Sequence, residues 1–193
     1  MMSKLYIAYG SNLNLEQMAN RCPTAKVVGT SEIKDHKLTF RGPHAHAVAT
    51  VEPCKGESVP ALVWQITSND EKALDRYEGW PHLYRKEMMK VKVNKKTVNA
   101  MVYIMNEGRP LEQPSCYYYS TILEGYNSAG FDVEYLRKAV EDSYEKDDGI
   151  TLIRILIISR KHYARRKVIA GVDPETQESN CHEREKEYSW ETI

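Results

Sequence analysis

The chain has 193 residues, 27 Lys plus Arg against 27 Asp plus Glu, and 41% hydrophobic residues. That charge balance argues against nucleic acid or an anionic membrane as the main partner, and no run of about 18 apolar residues offers a membrane span. The length fits one domain with some chain left over.

Met1-Met-Ser-Lys4 leads straight into apolar residues with no signal-peptide core, so the cytoplasm is the expected location. Cys22, Cys54, Cys116 and Cys181 form no C-x-x-C pair and read as free thiols there. Tyr is abundant at 13 against 2 Phe. Tyrosines in quantity line polar cavities but also pack well in strands.

Leu5 to Tyr9 reads as a short buried strand running into the polar loop Gly10-Ser11-Asn12. A helix follows with Leu15, Met18 and Ala19 as its apolar stripe, Asn14 as its cap and Gln17 in the capping-box position. Arg21-Cys-Pro23 stops that helix. Lys26 to Ile33 and Lys37 to Phe40 read as strands, then a turn at Arg41-Gly-Pro43 and a β-rich stretch from Ala45 to Val51. Pro53-Cys-Lys-Gly56 signals another turn before the strand Val59 to Ile66. Ser68-Asn-Asp70 caps a helix whose apolar face is Ala73, Leu74 and Tyr77, and which ends at Glu78-Gly79 ahead of Pro81.

Tyr84 to Val93 and Thr97 to Met105 form two strands around a polar turn at Asn94-Lys-Lys96. After a loop holding Gly108, Pro110 and Pro114, Tyr117 to Glu124 reads as a helix broken by Gly125. Val133 to Tyr144 reads as another, striped by Leu136, Ala139, Val140 and Ser143. Ile150 to Ile158 is apolar and fits a strand or a buried helix, Lys161 to Lys167 is basic, and 173–193 is polar and expected to be exposed or loosely ordered. Six or seven short strands with a few helices predict an α+β domain over 1–145, a small mixed, mostly antiparallel β-barrel with short helices packed outside. Residues 146–193 are then a C-terminal extension.

Two stretches carry chemistry. Gly10-Ser11-Asn12 lies between a strand end and a helix start, where backbone N–H groups converge and suit an anion or a carbonyl oxygen. Gly10 permits close approach to the backbone, and Ser11 and Asn12 add side-chain donors and acceptors. These are also ordinary turn residues, and a plain turn is the competing reading. Glu78 sits at a helix C-terminus, where a carboxylate is disfavoured, with Tyr77, Trp80 and Leu83 near enough in sequence to desolvate it. Desolvation raises a carboxyl pKa toward the range useful for proton transfer. The competing reading is a carboxylate exposed on a loop.

Tyr9-Gly-Ser-Asn12 after a first strand, Asp75-Arg-Tyr-Glu-Gly79 near the middle and Pro114-Ser…Tyr118 before a late helix, in that order, resemble the gamma-glutamylcyclotransferase family. Arg21-Cys-Pro23 and Leu83-Tyr84 are supporting matches, and the resemblance spans roughly Lys4 to Ser143. It implies a small antiparallel-rich barrel with a cavity at its mouth. It implies an intramolecular aminolysis in which the α-amine of a γ-glutamyl amide attacks its own γ-carbonyl, giving 5-oxoproline and a free amine. Glu78 then matches the catalytic carboxylate, acting as general base and acid. Tyr9, Gly10, Ser11 and Asn12 match the substrate loop, and Tyr84 and Tyr118 match pocket tyrosines. The implied partner is a small γ-glutamyl substrate, with no cofactor, no metal, no nucleic acid and no membrane, in a monomer or homodimer. The alternative is a relative without turnover that binds a metabolite or a partner protein.

Other candidates are weaker. His44 and His46 share a strand face if that stretch is extended, with Cys54 following, but two ligands at this spacing are a poor metal signature. Cys116 lacks a nucleophile motif. The basic run Lys161 to Lys167 is offset by acidic residues downstream and reads as a solvated surface. On a helix, Tyr117, Tyr118 and Tyr119 face different ways, so at least one belongs to the core. The amine half of the substrate is expected to meet a rim formed by Arg41 to His46 and Trp80 to Leu83, with Arg41 or His82 as candidate carboxylate readers.

Overall fold

The computed structural model describes residues 3–143. The expected extension 146–193, with Cys181, lies outside the described residues. Five strands form one sheet: β1 (Lys4–Ala8), β2 (Lys26–Arg41), β3 (Val48–Ile66), β4 (Tyr84–Val93) and β5 (Lys96–Met105), in the order β2-β3-β1-β5-β4. β1 is the middle strand, antiparallel to β3 and parallel to β5, with Ile7 fully buried. Its apolar run LYIA suits a strand covered on both faces.

The long β2–β3 hairpin replaces four short strands expected from the sequence. The register slips between Lys34 and His36, where Asp35 takes φ +56° and its Oδ1 accepts from Gly56 N at 2.9 Å. Pro53 to Gly56 is thus an irregularity inside β3, not a chain reversal. The β4–β5 turn is two residues long, Asn94 and Lys95, both at positive φ, the geometry that matches the twist of the flanking strands. The sheet is mixed and mostly antiparallel, as expected, but strand pairing does not close it into a barrel. Its edges β2 and β4 are linked by side chains instead: Ser31 Oγ donates to Lys92 O at 2.7 Å, and Asn94 Nδ2 to Val28 O at 3.0 Å.

Among the described residues, four α-helices accompany the sheet: α1 (Leu15–Arg21), α2 (Ser68–Tyr77), α3 (Cys116–Ala129) and α4 (Val133–Asp142). None among the described residues is long and apolar enough to cross a membrane. In α1 the expected stripe is not buried: Met18 is in the core, whereas Leu15 and Ala19 face solvent. The helix is held instead by Asn14, whose Oδ1 accepts from Gln17 N at 3.0 Å. The Gln17 side chain turns to Arg21 rather than back to the cap. α2 is capped by Thr67, in a complete capping box with Asp70, one residue before the expected cap. α3 runs through Gly125 and ends at Gly130, which takes the left-handed conformation at φ +71°. α4 buries the predicted Leu136, Ala139 and Val140, and its C-cap Ser143 is buried with them. It lies along edge strand β2, where Phe40 N donates to Ser143 Oγ at 2.9 Å and so loses its exposed donor.

Candidate functional site

The chain leaves β1 at Ala8 and, after Tyr9 and Gly10, closes a single 3-10 turn, Ser11–Leu13. Leu13 N and Asn14 N donate back to Gly10 O and Ser11 O at 3.0 and 3.1 Å. Those two bonds close the turn, and among the described residues the N–H groups of Ser11 and Asn12 are its unspent donors. A side chain at position 10 would meet Ala49 Cβ at 3.2 Å and the Tyr118 hydroxyl at 3.4 Å, so glycine keeps this approach open. From behind, α3 presses on the turn at Gly125, where an added Cβ would come within 2.5 Å of Leu13 Cβ. Asn14 Nδ2 also donates to Thr121 O at 3.3 Å and Glu124 Oε2 at 3.0 Å, fixing the turn to α3.

Glu78 approaches from the opposite side. It is the C-cap of α2, followed by Gly79 at φ +61°. Trp80 N donates to Asp75 O at 2.9 Å and Gly79 N to Arg76 O at 3.3 Å, the paired bonds of a Schellman ending. The end of α2 is tied to the sheet through Asp75, which accepts from Tyr103 Oη at 2.6 Å and Lys86 Nζ at 2.9 Å.

The two sides meet in one cleft lined by Tyr6, Tyr9, Tyr84, Tyr103 and Tyr118 together with Gly10, Ser11, Asn12, Ala49 and Glu78. Asn12 Nδ2 donates to Glu78 Oε1 and to the Tyr6 hydroxyl, each at 2.8 Å. Burial pushes the Glu78 carboxyl up from 4.5 to about 7, against the opposing pull of Arg21 and the Asn12 hydrogen bond. Burial also holds the phenols of Tyr6, Tyr9, Tyr84 and Tyr118 above their ordinary range, so they stay neutral hydroxyls. The peptide of Ala49 pins two of them: Tyr84 Oη donates to its carbonyl at 2.7 Å, and its N–H donates to Tyr118 Oη at 3.2 Å. Tyr9 Oη donates to Tyr103 O at 2.6 Å.

All seven site residues expected from the sequence therefore line one cleft. Tyr6, Tyr103 and Ala49 line it as well, outside the expected set. Period-two alternation along β1 and β5 holds the signal for the two tyrosines, but nothing in the sequence says which strand face carries the cleft. The groups around Glu78 also differ from expectation. Trp80 is 45% exposed with its ring 4.7 Å from the Lys86 ammonium, whereas the strand tyrosines Tyr6, Tyr84 and Tyr103 line the cleft with Glu78.

The rim expectation changes too. The Arg41 guanidinium is ion-paired with Glu52 and donates to Arg109 O at 2.7 Å, which commits it to the β2–β3 hairpin and the 106–115 loop. His44 and His46 precede β3 in a turn, not on a strand face, and the His44 ring contacts Glu112. Among the described residues, no three His, Cys, Asp or Glu side chains are grouped to hold a metal ion. Of the three consecutive tyrosines, Tyr117 is exposed, Tyr118 enters the cleft and Tyr119 is core.

A family model described as gamma-glutamyl cyclotransferase, AIG2-like, matches residues 6–121, a span that holds every residue lining the cleft. A Bos taurus gamma-glutamylcyclotransferase is 29% identical over 155 residues, covering 76% of this chain and 81% of the bovine one. The Homo sapiens gamma-glutamylcyclotransferase is 30% identical over 147 residues, covering 70% of this chain and 77% of its own. A solved structure of a gamma-glutamyl cyclotransferase superposes with a TM-score of 0.63 at 28% identity, covering 76% of this chain and 90% of that one.

Proposed function

Since the chain belongs to the gamma-glutamyl cyclotransferase, AIG2-like family, we propose that it cyclises a γ-glutamyl amide to 5-oxoproline and a free amine, with Glu78 moving the protons. One observation carries this reading: a carboxyl raised to about 7 shares a cleft with the open donors of the Ser11–Leu13 turn.

The substrate's α-amine is an ammonium near neutral pH and cannot attack until it loses a proton. A base at about 7 takes that proton at a cost about 3 kcal/mol smaller than an ordinary carboxylate would face. The freed amine nitrogen bonds to the γ-carbonyl carbon, closing a five-membered ring whose two ends are already tethered. Negative charge moves to the carbonyl oxygen, where the N–H groups of Ser11 and Asn12 are the donors at hand. Protonated Glu78 then gives its proton to the amide nitrogen, and the carbon–nitrogen bond breaks as the carbonyl reforms. The ring nitrogen's surplus proton leaves to the released amine, so Glu78 ends as it began.

The test is incubation with a panel of γ-glutamyl amides that differ in the amine half, followed by assay of 5-oxoproline. The wild-type chain releases it, and Glu78→Gln loses roughly a hundredfold to ten-thousandfold of the rate while still binding substrate. Full activity in the Gln variant removes Glu78 from this role. Binding without 5-oxoproline across the panel identifies the chain as a relative without turnover.

A further inference from the structure

Arg21, at the last turn of α1, lies outside the cleft yet reaches its acid through one residue. Its Nη1 donates to Asn12 Oδ1 at 2.7 Å and its Nη2 to Gln17 Oε1 at 2.6 Å. The guanidinium plane rests on the Tyr77 ring, 3.6 Å from its centroid, and the Tyr77 hydroxyl meets Ser11 Oγ at 2.9 Å. Two parallel ties thus join the turn to the end of α2: Ser11 to Tyr77, and Asn12 to Glu78.

An amide side chain has one accepting and one donating end, and rotation about its last bond exchanges them. Arg21 carries donors only. With the guanidinium on Asn12 Oδ1, the donating Nδ2 must face the cleft, where Glu78 and Tyr6 accept from it. We propose that Arg21 is a positioning residue: by fixing the direction of the Asn12 amide, it keeps Glu78 aimed and able to hold negative charge. The inference rests on the reading of Glu78 as the general base. Without Arg21 the amide is free to turn its oxygen toward the carboxylate, which disfavours the anion.

The remaining titratable neighbours of Glu78 are Tyr6 on β1, Tyr9 just after it, Tyr84 on β4, Tyr103 on β5 and Tyr118 on α3. All five are held neutral by burial, so Arg21 is the cation that acts on Glu78. Arg21 also works against the carboxyl's upward shift, in the direction the hydrogen bonds require. Its guanidinium engages Asn12, Gln17 and Tyr77 and does not line the cleft, which separates this role from direct reading of a substrate carboxylate.

The experiment compares Arg21→Met and Arg21→Lys with wild type in the pH profile of kcat/KM and in a carbon-13 NMR titration of the Glu78 carboxyl. In Arg21→Met, the acid limb and the NMR midpoint move up together by about one pH unit, and kcat at the alkaline plateau falls about tenfold. Arg21→Lys restores charge without the two-pronged grip, so the limb returns toward wild type while the plateau loss persists. A folded Arg21→Met with unmoved limb and midpoint overturns the proposal. Should Arg21→Met fail to fold, wild-type kcat in Arg21→Lys overturns it. The two readings fail separately: an active Glu78→Gln removes the general base, whereas an inactive Glu78→Gln beside an unmoved Arg21→Met titration removes only the role of Arg21.

Discussion

Asn12 and Glu78, 66 residues apart in sequence, are joined by a hydrogen bond of 2.8 Å between Nδ2 and Oε1. The donor is set by the turn after β1 and the acceptor by the end of α2. The bond therefore reports whether two separately built pieces of backbone have arrived at one place. Its chemical meaning is that a carboxyl withdrawn from water keeps one partner that favours its charged form.

That balance makes stability depend on pH in a direction opposite to most carboxylates. The folded-state pKa is about 7, above the unfolded value near 4.5. Below both values the group is protonated in both states and adds nothing. As pH rises from 4.5 to 7, the unfolded chain releases this proton more readily, so stability falls across that window and stays lowered above it. The full difference, at about 1.4 kcal/mol per unit, is about 3 kcal/mol. Glu78→Gln is therefore expected to match wild type in urea denaturation at pH 4 to 5 and to exceed it by up to that amount at pH 8. A gap that does not change with pH contradicts the burial argument.

Gly79 supplies the next prediction. It holds φ +61° directly after Glu78, and an added Cβ would stand 3.1 Å from Leu83 Cβ. A left-handed non-glycine residue costs about 1–2 kcal/mol. Gly79→Ala should lose at least that in denaturant stability. It should also lower kcat about tenfold or more, because relaxing this ending re-aims the neighbouring carboxyl. A variant destabilised to that degree with wild-type kcat shows that Glu78 is aimed by its side-chain contacts alone.

How much of this was legible beforehand depends on the range over which each signal acts. Gly10, Ser11, Asn12 and Glu78 announce themselves locally, since turn chemistry and a carboxylate at a helix C-terminus are visible within a few residues. Tyr6 and Tyr103 do not, because their shared cleft follows from β1 pairing parallel to β5, a contact across most of the domain. Arg21 reads as part of a helix stop, and its reach to Asn12 depends on the turn between them. The expected barrel is not closed by strand pairing, because side chains rather than a backbone ladder link the edges β2 and β4. Splitting β3 follows from reading Pro53 to Gly56 as a turn, whereas Asp35 absorbs the irregularity across the hairpin. Gly125 looked like a helix breaker because propensity is a local quantity, and the packing that requires glycine there is not.

Gly125 gives a test of that last point. In the middle of an exposed helix, Gly→Ala stabilises by about 1 kcal/mol. Here the methyl group would stand 2.5 Å from Leu13 Cβ, 2.8 Å from Leu13 C and 2.9 Å from Asn14 N, two of them backbone atoms that cannot rotate away. Gly125→Ala is expected to destabilise instead, by about 1–3 kcal/mol. It should also reduce kcat/KM, because the displaced residues follow directly on Ser11 and Asn12. A stabilised, fully active variant in thermal denaturation and turnover assays shows that α3 does not buttress the turn.

Ser11 separates the backbone from the side chain within that turn. Its hydroxyl meets Tyr77 Oη at 2.9 Å, and its N–H belongs to the main chain and survives any substitution but proline. If the main-chain donors hold the developing oxyanion, Ser11→Ala removes one partly buried hydrogen bond, worth about 1 kcal/mol, and slows turnover roughly tenfold or less. Tyr77→Phe removes the same bond from its other end and should give a similar loss, while Glu78→Gln costs at least about ten times more. Steady-state kinetics on the three variants decide it. A Ser11→Ala enzyme as slow as Glu78→Gln, beside a nearly normal Tyr77→Phe, assigns the oxyanion to the hydroxyl instead of the amides.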